Sequence, residues 1–278
     1  GIGFKLGNTE LRDKVQSTLL DMLDDGTFLS IAEEWGLEES ICLSADNVVN
    51  DSDLAVDKGN FFVELGSVVS KLAEGMLASL AIFVLTLVFS LPLGLLLMFV
   101  RLSKVNVIRW IAKIYISIMR GTPLMLQLLV VFFGPYYVFG ISLSYSYRFY
   151  AVIIGFALNY AAYFAEIYRA GIESIPVGQY EAAEVLGYSK AQTFVKIILP
   201  QVVKRVLPPV TNETITLVKD TSMAFTISIA EMFTVAKQIG AAQTSVLPLL
   251  AAGVFYYIFN LVVASFMEYL EKKTSYYR

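Results

Sequence analysis

Four segments of this chain, 77–100, 118–139, 149–167 and 246–267, are long and apolar enough to cross a bilayer, and few folds are open to a chain that does so. The hydrocarbon layer is about 30 Å thick and a helix rises about 1.5 Å per residue, so each run predicts one membrane-spanning helix. The composition agrees: 56% of residues are hydrophobic and 16% are charged. That is the balance of a membrane protein, not a soluble one. A fifth segment, 207–230, carries Glu213, Lys219 and Asp220 and scores poorly on hydropathy alone. It is expected to cross nonetheless, because the chain must return if its basic loops are to share one side.

The basic residues fall in three groups. Arg101, Lys104, Arg109, Lys113 and Arg120 follow the first span, and Arg169, Lys190, Lys196, Lys204 and Arg205 follow the third. Lys272, Lys273 and Arg278 follow the fifth. The other loops hold little more than Arg148 and Lys237. By the positive-inside rule the basic set faces the cytoplasm. The reading is an all-α membrane domain of five spans in a cell membrane, its amino-terminal side outside and its carboxyl terminus inside.

The first 60 or so residues differ in kind. They are acidic and polar, with Asp21, Asp24, Asp25, Glu33, Glu34, Glu38 and Glu39 and no long apolar run. Residues 1–6 read as a short strand. Asn8 or Thr9 is placed to cap a helix over 11–23, with Val15, Leu19, Leu20 and Leu23 on one face, and Gly26 to stop it. A second helix is expected over 28–35. Cys42 is the single cysteine, so it offers no internal disulfide.

Polar residues also recur inside the spans. Asn159, Tyr163 and Glu166 share one helical face of the third, and Glu213, Thr216 and Asp220 share one face of the fourth, with Lys219 beside them. Polar groups in hydrocarbon must face protein or water, and ionisable ones mark a pathway or a mutual pair. Two readings of Asp220 stay open: a contact for a ligand's ammonium group, or a partner for Lys219. Asn159 likewise either offers its amide to a ligand or bonds another helix. Glu166 beside Arg169 reads as an interfacial ion pair. Arg120-Gly121-Thr122-Pro123-Leu124 opens the second span, with Pro123 suited to a first helical turn and Gln127 about two turns further in.

No catalytic constellation is present. The chain has no histidine, which excludes His-based catalysis and His-ligated metals, and no cofactor or metal site is expected. It lacks the Gly-x-x-x-x-Gly-Lys phosphate loop, so any ATP hydrolysis belongs to a partner. Its basic loops flank membrane segments without interleaved aromatics, which does not suggest nucleic-acid binding.

Between the third and fourth spans lies a long loop, 181–200, containing Glu181-Ala182-Ala183, Gly187 and Ile197-Ile198-Leu199-Pro200. This pattern resembles the EAA loop of the permease subunits of ABC importers, through which the membrane subunit is gripped by its ATPase. The Arg120–Leu124 phrase resembles the entry to the second span in the polar amino-acid branch of that family. Lys219-Asp220-Thr221-Ser222 and Asn159 resemble residues that, in the family, line a midmembrane site for the carried amino acid. The resemblance therefore implies a type I importer permease fold at 75–278. It also implies substrate contacts at Asn159, Tyr163, Thr216, Lys219 and Asp220, and ATPase coupling through Glu181, Ala182, Ala183 and Gly187. The partners it implies are ATPase subunits, a second identical or different permease subunit, a fused or separate solute-binding protein, an amino-acid substrate and the bilayer.

The amino-terminal phrase with Lys5, Gly7-Asn8, Leu11-Arg12, Asp25-Gly26-Thr27 and Ile31 through Trp35 resembles the carboxyl-terminal end of a periplasmic-type amino-acid-binding protein. On that resemblance residues 1–44 are the strand and helix remnant of an extracytoplasmic binding domain, and 45–74 a linker and pre-membrane segment. The chain is then a truncated fusion, since a piece this short cannot bury a core of its own. An unrelated extracellular helix pair is the alternative. For the whole chain, the other candidates are an ion-gradient-driven transporter or channel and a ligand-sensing receptor. No second copy of the span set is visible, as inverted-repeat transporters would show. A receptor would need a signalling domain after the last span.

Overall fold

The computed structural model describes residues 9–34, 61–141, 144 and 146–274. It divides into two units, Gly1–Gly59 and Asn60–Arg278. The strand expected at 1–6, the linker up to residue 60 and Cys42 lie outside the described residues.

Two helices describe the first unit, α1 (Thr9–Asp24) and α2 (Thr27–Glu34). Gly26 separates them at φ +79°, a left-handed conformation that suits glycine and ends the first helix as expected. Asp25 then caps the second: the Thr27 hydroxyl and amide donate to its carboxylate and hold it below the usual carboxylate range.

The second unit is all helix. Its first element, α3 (Phe61–Arg101), is a single 41-residue helix. Next come α4 (Asn106–Gly121) and α5 (Leu124–Phe139), bent by 112° at the break between them. The third expected span is α6 (Tyr147–Glu173), a helix of 27 residues. A short helix α7 (Val177–Val185) and a π-helical stretch, Thr193–Ile198, lead to α8 (Leu199–Asp220). A 3-10 segment, Thr221–Ile227, precedes α9 (Met232–Gln243) and α10 (Leu247–Thr274).

Among the described residues three helices are long and apolar enough to cross a membrane: α6, α10 and the Leu65–Arg101 part of α3. The bent α4–α5 pair raises the number to four if it crosses as one.

Two expectations are corrected. Residues 118–139 are not one helix. Thr122 precedes a proline, which drives it out of the helical region to φ −119° and ψ 149°, and Pro123 serves as N-cap of α5 rather than as its first helical residue. Residues 207–230 are not one continuous α-helix either, since the helix starts at Leu199 and tightens to 3-10 after Asp220. The 181–200 loop, whose small residues and glycine break suggest a short helix around Ala182-Ala183, is largely helical, with Pro200 inside the first turn of α8, where a missing N–H costs nothing.

The centre of the unit is α6, whose Ala151, Val152, Phe156, Tyr160, Ala161 and Phe164 are buried. It packs against α3, α4, α5 and α8. The approach to α3 is close: a Cβ on Gly94 would lie 2.8 Å from the Phe164 Cβ, so glycine there sets the helix separation. A second cluster joins α3, α9 and α10 through Val68, Leu72, Met232, Ala236 and Ala252. A third joins the ends of α3 and α4 to α6 through Met98, Ile116, Ala162 and Ala165.

Candidate functional site

A helix that stops at Gly121 leaves its last carbonyls without partners. Gln127, one turn into α5, reaches back: its amide nitrogen lies 3.0 Å from the Met119 carbonyl and 2.8 Å from the Thr122 hydroxyl. Asn159 on α6 braces the same joint, donating to the Met119 carbonyl at 3.0 Å and to the Gln127 side-chain oxygen at 2.9 Å. Both amide hydrogens of Asn159 are thereby used. Of its two expected roles the structure supports the bond to another helix, and its side-chain oxygen remains as an acceptor.

One residue further along α6, the buried Tyr160 donates its hydroxyl to Asp220 Oδ2 at 2.7 Å. Asp220 ends α8 where the backbone tightens to 3-10, and Tyr160 is its only hydrogen-bond partner among the described residues. Lys219 is exposed and forms no ion pair among the described residues. Thr216 is exposed too, its hydroxyl donating to the Asn212 carbonyl at 3.0 Å. Tyr163 lies beside Tyr160, ring centroids 6.2 Å apart, with the Arg120 guanidinium over its ring at 5.2 Å. Tyr163 and Asp220 are thus gathered around Tyr160, Asn159 turns to the α4–α5 joint, and Thr216 and Lys219 are exposed on α8, where the lysine acts on the Asp220 carboxylate through its charge. Neither Tyr160 nor Arg120 was among the expected substrate contacts. The phenol next to Asn159 in a largely apolar span was the available signal for the first.

Toward the end of α6 the chemistry changes from single hydrogen bonds to ion pairs. Glu166 pairs with Arg169 at 2.7 Å and with Arg101 at 3.5 Å, and Arg169 pairs again with Glu173. The expected Glu166–Arg169 pair is present, and Arg101 also ties the end of α3 to α6. Beside it a cleft of about 510 Å³ is lined by Arg120, Tyr163, Glu166, Arg169, Arg205 and Glu213, among others. It holds charges of both signs. Of the expected substrate contacts only Tyr163 lines it.

Past α6 the α7 turn is tightly built. Gly187 takes φ +77°, its amide bonds the Glu184 carbonyl at 2.9 Å, and the Tyr188 amide bonds the Ala183 carbonyl at 3.0 Å. This is the left-handed glycine stop that closes a helix by returning two amides to its last turn. Ala183 is buried and α7 packs on the π-helical stretch. Glu181, Ala182, Val185 and Leu186 point outward, the last two largely exposed.

One further carboxylate escaped sequence reading. Glu231, fully buried, caps α9: it accepts from the Phe233 and Thr234 amides at 2.7 Å each, from the Thr234 hydroxyl at 2.8 Å and from the Tyr256 hydroxyl at 3.1 Å.

Residues 90–276 match the family described as binding-protein-dependent transport system inner membrane component. Among individual proteins, the chain is 37% identical over 201 residues to the arginine transport system permease protein ArtQ of Bacillus subtilis (strain 168), covering 72% of this chain and 90% of that one. It is 34% identical over 208 residues to the L-cystine transport system permease protein TcyB of the same organism, covering 74% and 87%. A crystal structure of an amino acid ABC transporter with histidines superposes with a TM-score of 0.70 at 29% identity, covering 76% of this chain and 98% of that one. The chain belongs to the family of binding-protein-dependent transport system inner membrane components, as a permease subunit akin to those of amino-acid ABC transporters.

Proposed function

We propose that this chain forms the translocation path of an ATP-driven amino-acid importer and takes its power stroke from a separate ATPase through α7. The observation that carries the coupling is the form of α7. A short helix is locked by the Gly187 turn and by burial of Ala183, yet it exposes Ala182, Val185 and Leu186. Exposed apolar side chains on a rigid, water-facing turn fit a partner's socket. Ala183 packs the helix onto its own chain, so the docking face is Glu181, Ala182 and the Val185–Leu186 tip.

Five crossings are proposed: α3, α5 beyond its sharp bend from α4, α6, α8 with its 3-10 extension, and α10. They place α7 and the carboxyl terminus in the cytoplasm, as the basic residues direct. Residues 1–44 are proposed as the end of an extracytoplasmic solute-binding domain and 45–74 as its connection to the membrane domain at 75–278. The chain works as a homodimer or heterodimer of permeases with two ATPase subunits and a fused or separate binding protein.

The substrate site is proposed at Asp220, whose carboxylate accepts one hydrogen bond and keeps acceptor positions for an ammonium group. Tyr163 lies alongside, Asn159 offers its amide oxygen, and Thr216 and Lys219 flank the site on α8. Bound amino acid would pass to the mixed-charge cleft as ATPase closure pushes α7 and rocks the helices it joins.

Uptake into vesicles carrying the chain with and without its co-expressed ATPase tests the reading. Uptake is expected only with ATPase and ATP. Ala182→Arg and Leu186→Asp should abolish it while leaving the protein inserted. Uptake driven by an ion gradient with no ATPase present would establish a secondary transporter instead. Labelling of Cys42 by an impermeant thiol reagent on intact cells checks the orientation.

A further inference from the structure

Helix α4 has three faces, and its neighbours account for only one. Ala112 and Ile116 are buried against the protein, and the Tyr115 hydroxyl donates to the Leu158 carbonyl at 2.9 Å. On a second face Val107, Trp110, Ile111, Ile114 and Ile118 form an exposed apolar stripe at helical spacing, with Trp110 64% exposed. The third face carries Arg109 and Lys113, with Lys104 in the turn just before the helix, all exposed. The apolar and basic faces lie on nearly opposite sides of the exposed surface.

The helix cannot continue the path of α5, since the two are bent by 112°. It begins just after Arg101, which is anchored to Glu166 near the end of α6 that leads into α7. A helix bent off the span, with Trp and Ile on one side and Lys and Arg on the other, has the composition of one lying in the plane of the membrane surface.

We infer that α4 lies in the headgroup layer of the leaflet on the α7 side, its apolar stripe among acyl chains and Lys104, Arg109 and Lys113 on anionic phospholipid headgroups. Charge complementarity selects this occupant. A headgroup layer supplies apolar and anionic surface in the order the two faces require. A second copy of the chain would bring another basic row. Arg101 is held by Glu166 and Arg120 stacks on Tyr163, whereas Arg109 donates to Asn106 on its own helix and, among the described residues, Lys104, Arg109 and Lys113 form no ion pair, so their charge is left for lipid. The inference holds whatever the chain transports, and its test reads lipid contact rather than uptake.

The chain has two tryptophans, so Trp35→Phe leaves Trp110 as its only indole emitter. This full-length variant is reconstituted in phosphatidylcholine vesicles doped with brominated phosphatidylglycerol or, at equal mole fraction, brominated phosphatidylcholine. Both lipids should quench Trp110, with a clear preference for phosphatidylglycerol that fades as salt is raised. Arg109→Gln and Lys113→Gln should each weaken the preference by roughly fivefold. Equal quenching by the two lipids would overturn the inference, and so would quenching by neither, the mark of an indole covered by another protein chain. The salt titration needs neither glutamine variant and reads the same selectivity if one of them folds poorly.

Discussion

Glu231 and Asp220 sit at opposite ends of the segment that joins α8 to α9, and the protein treats them in opposite ways. Glu231 is fully buried and takes hydrogen bonds from two amides and two hydroxyls. Asp220 is only partly buried and takes one, from Tyr160 at 2.7 Å. A carboxylate has roughly four acceptor positions, so the first is saturated and the second is not. Burial is tolerable for Glu231 because the protein replaces the water it lost. Saturation marks a structural carboxylate that ties α9 to α10, and the open acceptor positions of Asp220 suit the ligand contact proposed for it.

The largest effect belongs to the saturated member. Glu231→Ala removes the acceptor from four donors and opens the cap of α9, at a cost of about 3 kcal/mol or more, since a hydrogen bond to a charged group contributes about 1.5–3 kcal/mol. Glu231→Gln keeps one acceptor oxygen and should fall between. Thermal unfolding of the detergent-solubilised protein reads both, and an unshifted midpoint for Glu231→Ala would break the comparison at its firm end.

Asp220→Asn tests the vacant end. Shape and the Tyr160 bond survive while the charge goes, so the unfolding midpoint should barely move. ATP-driven uptake should drop by at least about tenfold, the loss expected when one charge-assisted bond to the substrate is removed. Normal uptake by a well-folded Asp220→Asn protein would end the substrate role proposed for it.

The contrast between the two carboxylates was only half legible in the sequence. An acid inside a span demands an explanation, and so Asp220 stood out, as did Asn159 and Tyr163 at helical spacing beside it. Glu231 falls one residue beyond the expected span 207–230, where a carboxylate raises no question, and so it drew no reading at all. Its donors Thr234 and Tyr256 come from its own first turn and from α10, and no local pattern announces the second. Likewise Tyr160 reads as one more aromatic among many until α6 packs on α8. Hydropathy located α3, α6 and α10 because a long apolar run has one interpretation. It ran the last turn of α4 into α5, since only the Thr122-Pro123 step shows that the backbone must turn there. The Gly187 stop was visible from glycine alone, but burial of Ala183 and exposure of Ala182 depend on how α7 lies against Thr193–Ile198.

Tyr160→Phe sharpens the comparison from the donor side. It removes the single hydrogen bond to Asp220 and leaves the ring stacked on Phe156, so the stability cost should stay near 1 kcal/mol. Uptake should fall less than in Asp220→Asn, because the charge remains while its orientation is lost. If Tyr160→Phe proves as damaging as Asp220→Asn, the phenol itself meets the substrate and Asp220 serves to hold it.

The smallest effect is expected at Lys219, and it settles whether Asp220 is truly vacant. Lys219 is exposed and makes no ion pair among the described residues, so Lys219→Met should change folded yield little and uptake by about twofold or less, the range of an exposed charge. The double variant Asp220→Asn with Lys219→Met should then transport as poorly as Asp220→Asn alone. A different result follows if the two residues close on each other in another state of the transport cycle. Asp220→Asn would then strand a lysine at a cost that reaches about 3–5 kcal/mol for a buried pair. Folded yield would fall in that single variant, and the double variant would recover both yield and uptake. Recovery of uptake in the double variant would mean that Asp220 spends its charge on Lys219, and the substrate's ammonium group would need another partner.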